Sequence, residues 1–238
     1  MAKKKSTSPK RVLVVVTSTA EYDQAGYRTG LWLGELTHFY DVVTEAGHEV
    51  VIASVTGGRV PLDPVSLGAL VLKQGGTDDR YEDRAFMDLL AETPSLSEVA
   101  DQKFDAIYLA GGHGTMFDFP DNADLARIIE RTDAEGGVVS AVCHGPAGFI
   151  GVGRADGAPF LKGRKVTGFS WAEEKLAGRA KVVPFRLHQR LKEEGASYSK
   201  AIRPMASKVV VDGRLVTGQN PSSAADVAEK VVALLGKR

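Results

Sequence analysis

The fold is decided by residues 137–146, which read Gly137-Val138-Val139-Ser140-Ala141-Val142-Cys143-His144-Gly145-Pro146. A continuous apolar run of this kind is typical of a strand that is buried on both faces of a parallel sheet. The run ends at the only cysteine of the chain, and a glycine and a proline follow shortly after it. The stretch therefore predicts a tight turn where a buried strand leads into a helix and presents the Cys143 side chain above the sheet.

The same alternation of strand and helix extends along the chain on both sides of this turn. Apolar runs predict strands over residues 12–16, 49–53, 104–110 and 164–169, and helical spacing predicts helices before residue 47 and over residues 123–135. Near the end, residues 209–217 predict a hairpin with a two-residue Asp212-Gly213 turn, and Asn220 is expected to cap a last helix that runs to residue 235. We expect an α/β fold with a doubly wound, mostly parallel sheet sandwiched by helices, of the flavodoxin type, in which ligands bind beyond the carboxyl ends of the strands.

The length of 238 residues fits one domain with an insertion. Residues 1–10 are expected to form a disordered basic tail, and residues 11–238 a single domain. Within that domain the pattern is less regular over about residues 56–103, which predicts a small inserted cap that holds short helices.

Composition excludes several classes of function. Thirty basic and thirty acidic residues cancel, so no net field attracts nucleic acid or an anionic membrane. The apolar runs are far shorter than the roughly 20 residues that span a bilayer. A single cysteine cannot form an internal disulfide, so we expect a reducing, cytoplasmic location.

Cys143 is the leading candidate for a nucleophile, because a helix that begins behind the sulfur favours the reactive thiolate. The alternative is a small core residue, which is what a free cysteine usually is. The backbone N–H groups of His144 and Gly112 can form an oxyanion hole, although the glycine-rich loop that holds Gly112 and His113 is equally consistent with an ordinary turn. Glu35 borders the buried face of the first helix, where a glutamate is more often solvated than catalytic.

Taken together, several stretches of the chain resemble the ThiJ/PfpI superfamily, the group similar to class I glutamine amidotransferases. The resemblance is strongest to its branch of glutathione-independent glyoxalases (glyoxalase III) and heat-shock chaperones. The matching stretches are Thr29-Gly30 with Glu35-Leu36, residues 110–120 from Ala110-Gly111-Gly112-His113-Gly114 to Phe119-Pro120, residues 141–146, Thr167-Gly168-Phe169, and residues 212–221.

This resemblance implies that Cys143 is the nucleophile, His144 its imidazole partner and Glu35 the glutamate that touches the sulfur. An acidic residue that orients the histidine matches Glu174, with the neighbouring Glu173 as an alternative. Gly111 and His113 are expected to contact the substrate, and Asp118 to shape the loop behind them. The resemblance also implies a homodimer. No cofactor is expected, and His38, His48 and His188 do not suggest a metal site.

The leading hypothesis is a cofactor-free glyoxalase that converts methylglyoxal or glyoxal into a 2-hydroxy acid through a hemithioacetal on Cys143. Deglycation of proteins would use the same site. Two alternatives stay open. One is an amidase or peptidase with a Cys-His-Glu triad, and the other is a non-enzymatic holdase chaperone or an oxidation sensor that acts through Cys143.

Overall fold

The apolar runs of the sequence form the strands of a central sheet. The computed structural model describes residues 8–23 and 26–236, so most of the predicted basic tail lies outside the described residues. In chain order the strands are β1 (Arg11–Val16), β2 (Glu49–Ser54), β3 (Ala106–Leu109), β4 (Val138–Val142), β5 (Lys165–Val166), β6 (Ser197–Tyr198), β7 (Val209–Asp212) and β8 (Leu215–Gly218).

Ten α-helices connect these strands within the described residues. They are α1 (Leu33–Glu45), α2 (Ala69–Leu72), α3 (Thr77–Glu82), α4 (Arg84–Asp88), α5 (Leu96–Val99), α6 (Thr115–Asp118), α7 (Ala123–Ala134), α8 (Trp171–Leu176), α9 (Leu187–Glu193) and α10 (Ala224–Leu235). Short 3-10 turns lie at Gln74–Gly76, Gly145–Phe149 and Pro221–Ser223. Within the described residues, each of these helices is too short or too polar to span a membrane.

The main sheet has the strand order β2-β1-β3-β4-β8-β7. Five strands are parallel, and the edge strand β7 runs antiparallel to β8. The chain moves from β1 to β2 in one direction and from β3 to β4 in the other, so right-handed crossovers place α1 and α7 on opposite faces. The doubly wound, mostly parallel fold predicted from the sequence is confirmed.

The carboxyl ends of β1, β3 and β4 meet at one edge of the sheet. In register, Val15 of β1 pairs with Leu109 of β3, and Leu109 pairs with Ala141 of β4. All three residues are fully buried. The loops that leave these strands therefore start side by side above a rigid core, and this is where an open α/β sheet binds its ligands.

Three local predictions differ from the structure. Of residues 164–169 only Lys165–Val166 is a strand, and it pairs with β6 outside the main sheet, because the backbone beyond it turns to bond with Thr217 and Cys143. The two-residue hairpin loop is Gly213-Arg214 rather than Asp212-Gly213, since Asp212 still pairs with Leu215.

Asn220 is the third difference, because its side chain does not cap the last helix. Its amide instead donates to Glu173 Oε1 (2.9 Å) and to Ala206 O (2.8 Å). The helix opens with a 3-10 turn at Pro221–Ser223 before α10 begins. Asn220 thus joins distant segments of the chain, which a local capping pattern does not reveal.

Candidate active site

Cys143 stands at the carboxyl end of β4 in a strained turn. Its φ is 58°, in the left-handed region that residues with a side chain rarely adopt. Hydrogen bonds fix the turn from both sides: Cys143 N–H donates to Gly218 O (3.0 Å), and Cys143 O accepts from Phe169 N–H (2.8 Å). The predicted turn after a buried strand is therefore present, and the side chain is held in one position above the sheet.

The segment that follows Cys143 differs from the predicted helix. It is the five-residue 3-10 turn Gly145–Phe149, which aligns too few peptide dipoles to stabilise a thiolate strongly. Burial, together with the Glu35 carboxyl group, raises the pKa of the Cys143 thiol well above its usual value. The segment after Cys143 is thus a 3-10 turn and not the predicted helix, and because burial disfavours the charged sulfur, a neighbouring base assists its reaction.

Glu35 lies in the first turn of α1 with its side chain completely buried. Its Oε2 accepts a hydrogen bond from Gly111 N–H (2.7 Å), and its carboxyl group interacts with the Cys143 side chain. Its Oε1 has no partner with good hydrogen-bond geometry among the described residues. Burial raises the pKa of Glu35 to about 8, so most molecules carry a proton on this carboxyl at neutral pH. Glu35 thus lies beside the sulfur and not at the solvated edge of its helix.

His144, Glu174 and His113 form a row of hydrogen bonds that starts at the sulfur. Cys143 Sγ lies 3.3 Å from His144 Nδ1, and His144 Nε2 lies 2.8 Å from Glu174 Oε2. The other oxygen, Glu174 Oε1, lies 2.7 Å from His113 Nε2. Since the carboxylate only accepts, we assign the proton of His144 to Nε2, which leaves the lone pair of Nδ1 directed at the thiol.

The charges of this row follow from its burial. Burial lowers the pKa of His144, so the imidazole is neutral and can accept a proton. Burial by itself raises the pKa of the Glu174 carboxyl, but its contacts with His144 and the hydrogen bonds that it accepts from His144 and His113 outweigh burial and lower that pKa. A neutral base therefore lies between the thiol and an ionised carboxylate, as acyl-transfer chemistry requires.

Glu173, the alternative partner for the histidine, makes different contacts. Its side chain is fully buried and accepts hydrogen bonds from Ser170 N, Met205 N, Gln219 Nε2 and Asn220 Nδ2. These bonds join the start of α8 to the segments on either side of the β7–β8 hairpin. Glu174 is therefore the residue that the structure places against His144, and Glu173 holds the helix that carries it.

Two main-chain donors face the same space. Gly112 and His144 both line the pocket, and within the described residues neither of their N–H groups donates to a protein acceptor. Gly112 has a φ of 106°, and a Cβ there would collide with the carbonyl oxygen of Gly30. The close packing of this loop, which only glycine allows, places Gly112 in the same pocket as His144, and the oxyanion hole itself stays a prediction.

His113, Gly111 and Asp118 complete the set of predicted residues. His113 is buried, with its ring centroid 4.2 Å from that of His144, and it lines the pocket. Gly111 contacts Glu35 rather than facing the pocket. Asp118 Oδ2 accepts from Thr17 Oγ1 (2.8 Å) and Ser18 N (2.7 Å), so it holds the loop after β1 and lies outside the reacting row.

Comparison with known proteins matches residues 30–234 to the family described as DJ-1/PfpI. The chain belongs to the DJ-1/PfpI family. It is 34% identical to the glutathione-independent glyoxalase HSP31 of Saccharomyces cerevisiae, covering 94% of this chain and 98% of that protein. The crystal structure of glyoxalase III from Candida albicans superposes with a TM-score of 0.87 at 34% identity, over 94% of this chain and 97% of that one. The structure of Rapid Encystment Protein 24 kDa from Francisella tularensis gives a TM-score of 0.89 at 39% identity, over 95% and 99% of the two chains.

In this DJ-1/PfpI protein Cys143, His144, Gly112 and His113 line a pocket of about 280 Å³. The sequence did not indicate most of its walls, which are Trp32, Asp63, Val65, Leu176, Arg179, Met205 and Pro221. They come from segments far apart in the chain, including the predicted cap region, where α2 to α5 lie. Asp63 and Val65, for example, lie in the irregular segment before α2, where a lone residue has no periodicity that could mark it.

One group of three side chains has the composition of a metal site. The nearest ligand atoms of His113, His144 and Glu174 lie within 4.8 Å of one another. In the structure, however, each imidazole is hydrogen-bonded to one oxygen of the same carboxylate. In the contacts present the three side chains form a hydrogen-bonded row, and each oxygen of Glu174 accepts one bond. The sequence did not indicate this group, because only His38, His48 and His188 were considered for a metal site.

Proposed function

We propose that this chain is a glutathione-independent glyoxalase that converts methylglyoxal or glyoxal into lactate or glycolate without a cofactor. The observation that carries the proposal is the buried Glu35 carboxyl beside the Cys143 thiol, with a pKa raised to about 8. A simple cysteine hydrolase has no use for a second carboxyl group that gains and loses a proton near neutral pH on this side of the sulfur. An isomerising glyoxalase needs one, because a proton must move between two adjacent carbons.

The first step is addition of the thiol to the aldehyde. His144 Nδ1, 3.3 Å from the sulfur, takes the thiol proton as the sulfur attacks, and the Glu174 carboxylate stabilises the imidazolium that forms. The proton then passes to the aldehyde oxygen, which becomes the hydroxyl group of a hemithioacetal. The N–H groups of Gly112 and His144 stabilise the oxygen while it is negatively charged.

Glu35 carries out the isomerisation. In its ionised form the carboxylate removes the hydrogen from the first carbon of the hemithioacetal and gives an enediolate, and His144 carries the proton of the hydroxyl group on that carbon to the oxygen of the second carbon. The same group returns the proton to the second carbon, so the former aldehyde carbon is oxidised to a thioester and the ketone carbon is reduced to an alcohol. Water then hydrolyses the thioester with His144 as general base, which releases the 2-hydroxy acid and restores the thiol.

The test is turnover of methylglyoxal in the absence of glutathione by the wild type and two variants, Cys143→Ala and Glu35→Gln. Loss of dicarbonyl and formation of lactate are followed together. We expect Cys143→Ala to be inactive and Glu35→Gln to lose at least about 100-fold in kcat, the usual contribution of a general acid–base group. Turnover that survives Cys143→Ala would exclude a covalent route.

A second candidate is amide or peptide hydrolysis, which the Cys143–His144–Glu174 row favours because acyl transfer uses the same groups. The thiol, however, is only 3% exposed, so an intact protein chain does not reach it readily. Hydrolysis of short fluorogenic amides by Glu35→Gln, in which the triad is intact but dicarbonyl isomerisation is lost, separates the two activities. Efficient amide hydrolysis by that variant would favour the second candidate.

We further propose that the protein acts in the cytoplasm as a homodimer. Its one cysteine is the candidate nucleophile, so a reducing compartment protects its activity. Light scattering during gel filtration at micromolar concentration measures the oligomeric state, and a monomeric mass would contradict the dimer.

A further inference from the structure

The pocket is larger than a three-carbon dicarbonyl requires. Its volume of about 280 Å³ is close to the ~300 Å³ at which protein sites begin to hold drug-sized ligands. Above the reacting groups its walls are mainly apolar or aromatic, with Trp32, Val65, Phe169, Leu176 and Met205 among the lining residues. A substrate with a chain beyond the two carbonyl groups would bury that chain against these side chains.

Arg179 is the one arginine or lysine among the described residues that line this pocket. Its guanidinium lies over two rings, with Cζ 5.9 Å from the centroid of Tyr22 and 5.5 Å from that of Tyr27. Its backbone N–H donates to Glu174 O (3.1 Å), which fixes its position relative to the row of reacting groups. Its side chain also interacts with the Tyr22 hydroxyl, and none of the ion pairs found among the described residues includes Arg179.

The acidic groups around the pocket are already bound by protein donors. Asp63 accepts from Thr29 Oγ1 (3.1 Å) and from Val65 N (2.9 Å). Glu173 and Glu174 accept the hydrogen bonds described above. A guanidinium that stacks on aromatic rings keeps its planar set of donors free for a carboxylate or a phosphate. Arg179 is therefore the lining group whose charge is left for a ligand.

We propose that Arg179 selects 2-oxoaldehydes that carry an anionic group, a carboxylate or a phosphate, at the end of a short chain. This inference rests on the proposed function, because the reacting end of such a substrate is the same dicarbonyl. The chemistry is unchanged: one water is consumed, the aldehyde carbon is oxidised to a carboxylate and the ketone carbon is reduced to an alcohol. Arg179 binds the anionic end of the substrate, and the apolar walls of the pocket contact the carbon chain between that end and the dicarbonyl.

The experiment compares two substrates of similar length, 4,5-dioxopentanoate with its terminal carboxylate and the neutral 2-oxohexanal. We expect the wild type to prefer the anionic substrate at least tenfold in kcat/KM. In Arg179→Gln, kcat/KM for the anionic substrate falls by roughly 10- to 100-fold, the usual effect of losing a charged hydrogen bond, mainly through KM. Turnover of 2-oxohexanal and of methylglyoxal changes less than about threefold.

Arg186→Gln is the matched control, because Arg186 also stacks on an aromatic ring, Trp171 (4.5 Å), but does not line this pocket. It is expected to retain the preference for the anionic substrate. The inference would be overturned if the wild type and Arg179→Gln had the same ratio of kcat/KM for the two substrates. It would also be overturned if Arg179→Gln lowered kcat/KM equally for both substrates.

A binding measurement keeps this result separate from the proposed function. Calorimetry compares the products 2-hydroxyglutarate and 2-hydroxyhexanoate on Cys143→Ala with and without Arg179→Gln. The anion site is supported if the replacement of Arg179 weakens the binding of 2-hydroxyglutarate at least tenfold but does not weaken the binding of 2-hydroxyhexanoate. This conclusion holds even if the wild type turns over no dicarbonyl. Unchanged binding refutes the site, even if methylglyoxal is turned over.

Discussion

Replacement of Glu174 by glutamine tests the row of hydrogen bonds that activates the thiol. In the wild type each carboxylate oxygen accepts from one imidazole, at 2.8 Å from His144 and 2.7 Å from His113. A glutamine of the same size has one accepting oxygen and an NH₂ group that only donates. One imidazole must lose its acceptor or change its tautomer. If His144 moves its proton to Nδ1, it can no longer accept the proton of Cys143.

The magnitude follows from the burial of this contact. Glu174 is only 4% exposed, so solvent does not replace the lost charge. A hydrogen bond to a charged group contributes about 1.5–3 kcal/mol, and about 1.4 kcal/mol of activation free energy corresponds to a tenfold change in rate. We therefore expect kcat for methylglyoxal to fall by roughly 10- to 150-fold in Glu174→Gln, with little change in KM.

The assay combines steady-state turnover with the rate at which iodoacetamide alkylates the Cys143 thiol. Because Glu174 acts through His144, alkylation at pH 7 should slow together with kcat. Glu173→Gln is the matched control: it removes an equally buried charge from the same helix but leaves the histidine contacts in place. We expect it to lower Tm and to affect alkylation far less. A kcat for Glu174→Gln within threefold of the wild type, or equal alkylation rates in the two variants, would refute the reasoning.

Two further predictions concern Glu35 and Gly112. Since burial raises the pKa of Glu35 to about 8, kcat/KM for methylglyoxal should increase about tenfold between pH 7 and pH 9 as its base form appears, and a flat profile would contradict this role. The folded state holds the proton of Glu35 more tightly than the unfolded state does. The contribution of this group to stability is therefore complete below the ordinary glutamate pKa of 4.5 and is lost as the pH rises to about 8. Over this pH range the Tm of the wild type should fall relative to the Tm of Glu35→Gln. Gly112→Ala, whose Cβ would collide with Gly30 O, should lower the free energy of unfolding in urea by at least about 2 kcal/mol. Gly213→Ala, which also has a positive φ but open space around it, should cost only about 1 kcal/mol, and equal losses would rule out the close packing as the cause.

The sheet was predictable because its strands differ from the rest of the chain in local composition. The apolar runs at residues 12–16 and 138–142 are short and mostly β-branched, which is typical of strands buried on both faces of a parallel sheet. The predictions that differ, at residues 164–169 and at Asn220, concern short segments whose hydrogen-bond partners lie far away in the chain. The backbone N–H of Phe169, for example, donates to the carbonyl oxygen of Cys143, and no pattern within the segment of Phe169 predicts that contact.

By itself the sequence determined the strands of the main sheet with the helices α1, α7 and α10, the tight turn at Cys143 and the glycine loop after β3. These features depend on the backbone preferences and apolar periodicity of neighbouring residues. Only the tertiary structure decided that Glu35 is buried and protonated, that Glu174 rather than Glu173 meets His144, and that Arg179 lines the pocket. The pKa of a group and the partners of a side chain depend on solvent exclusion and on charges from distant segments, and these are set only when the chain has packed.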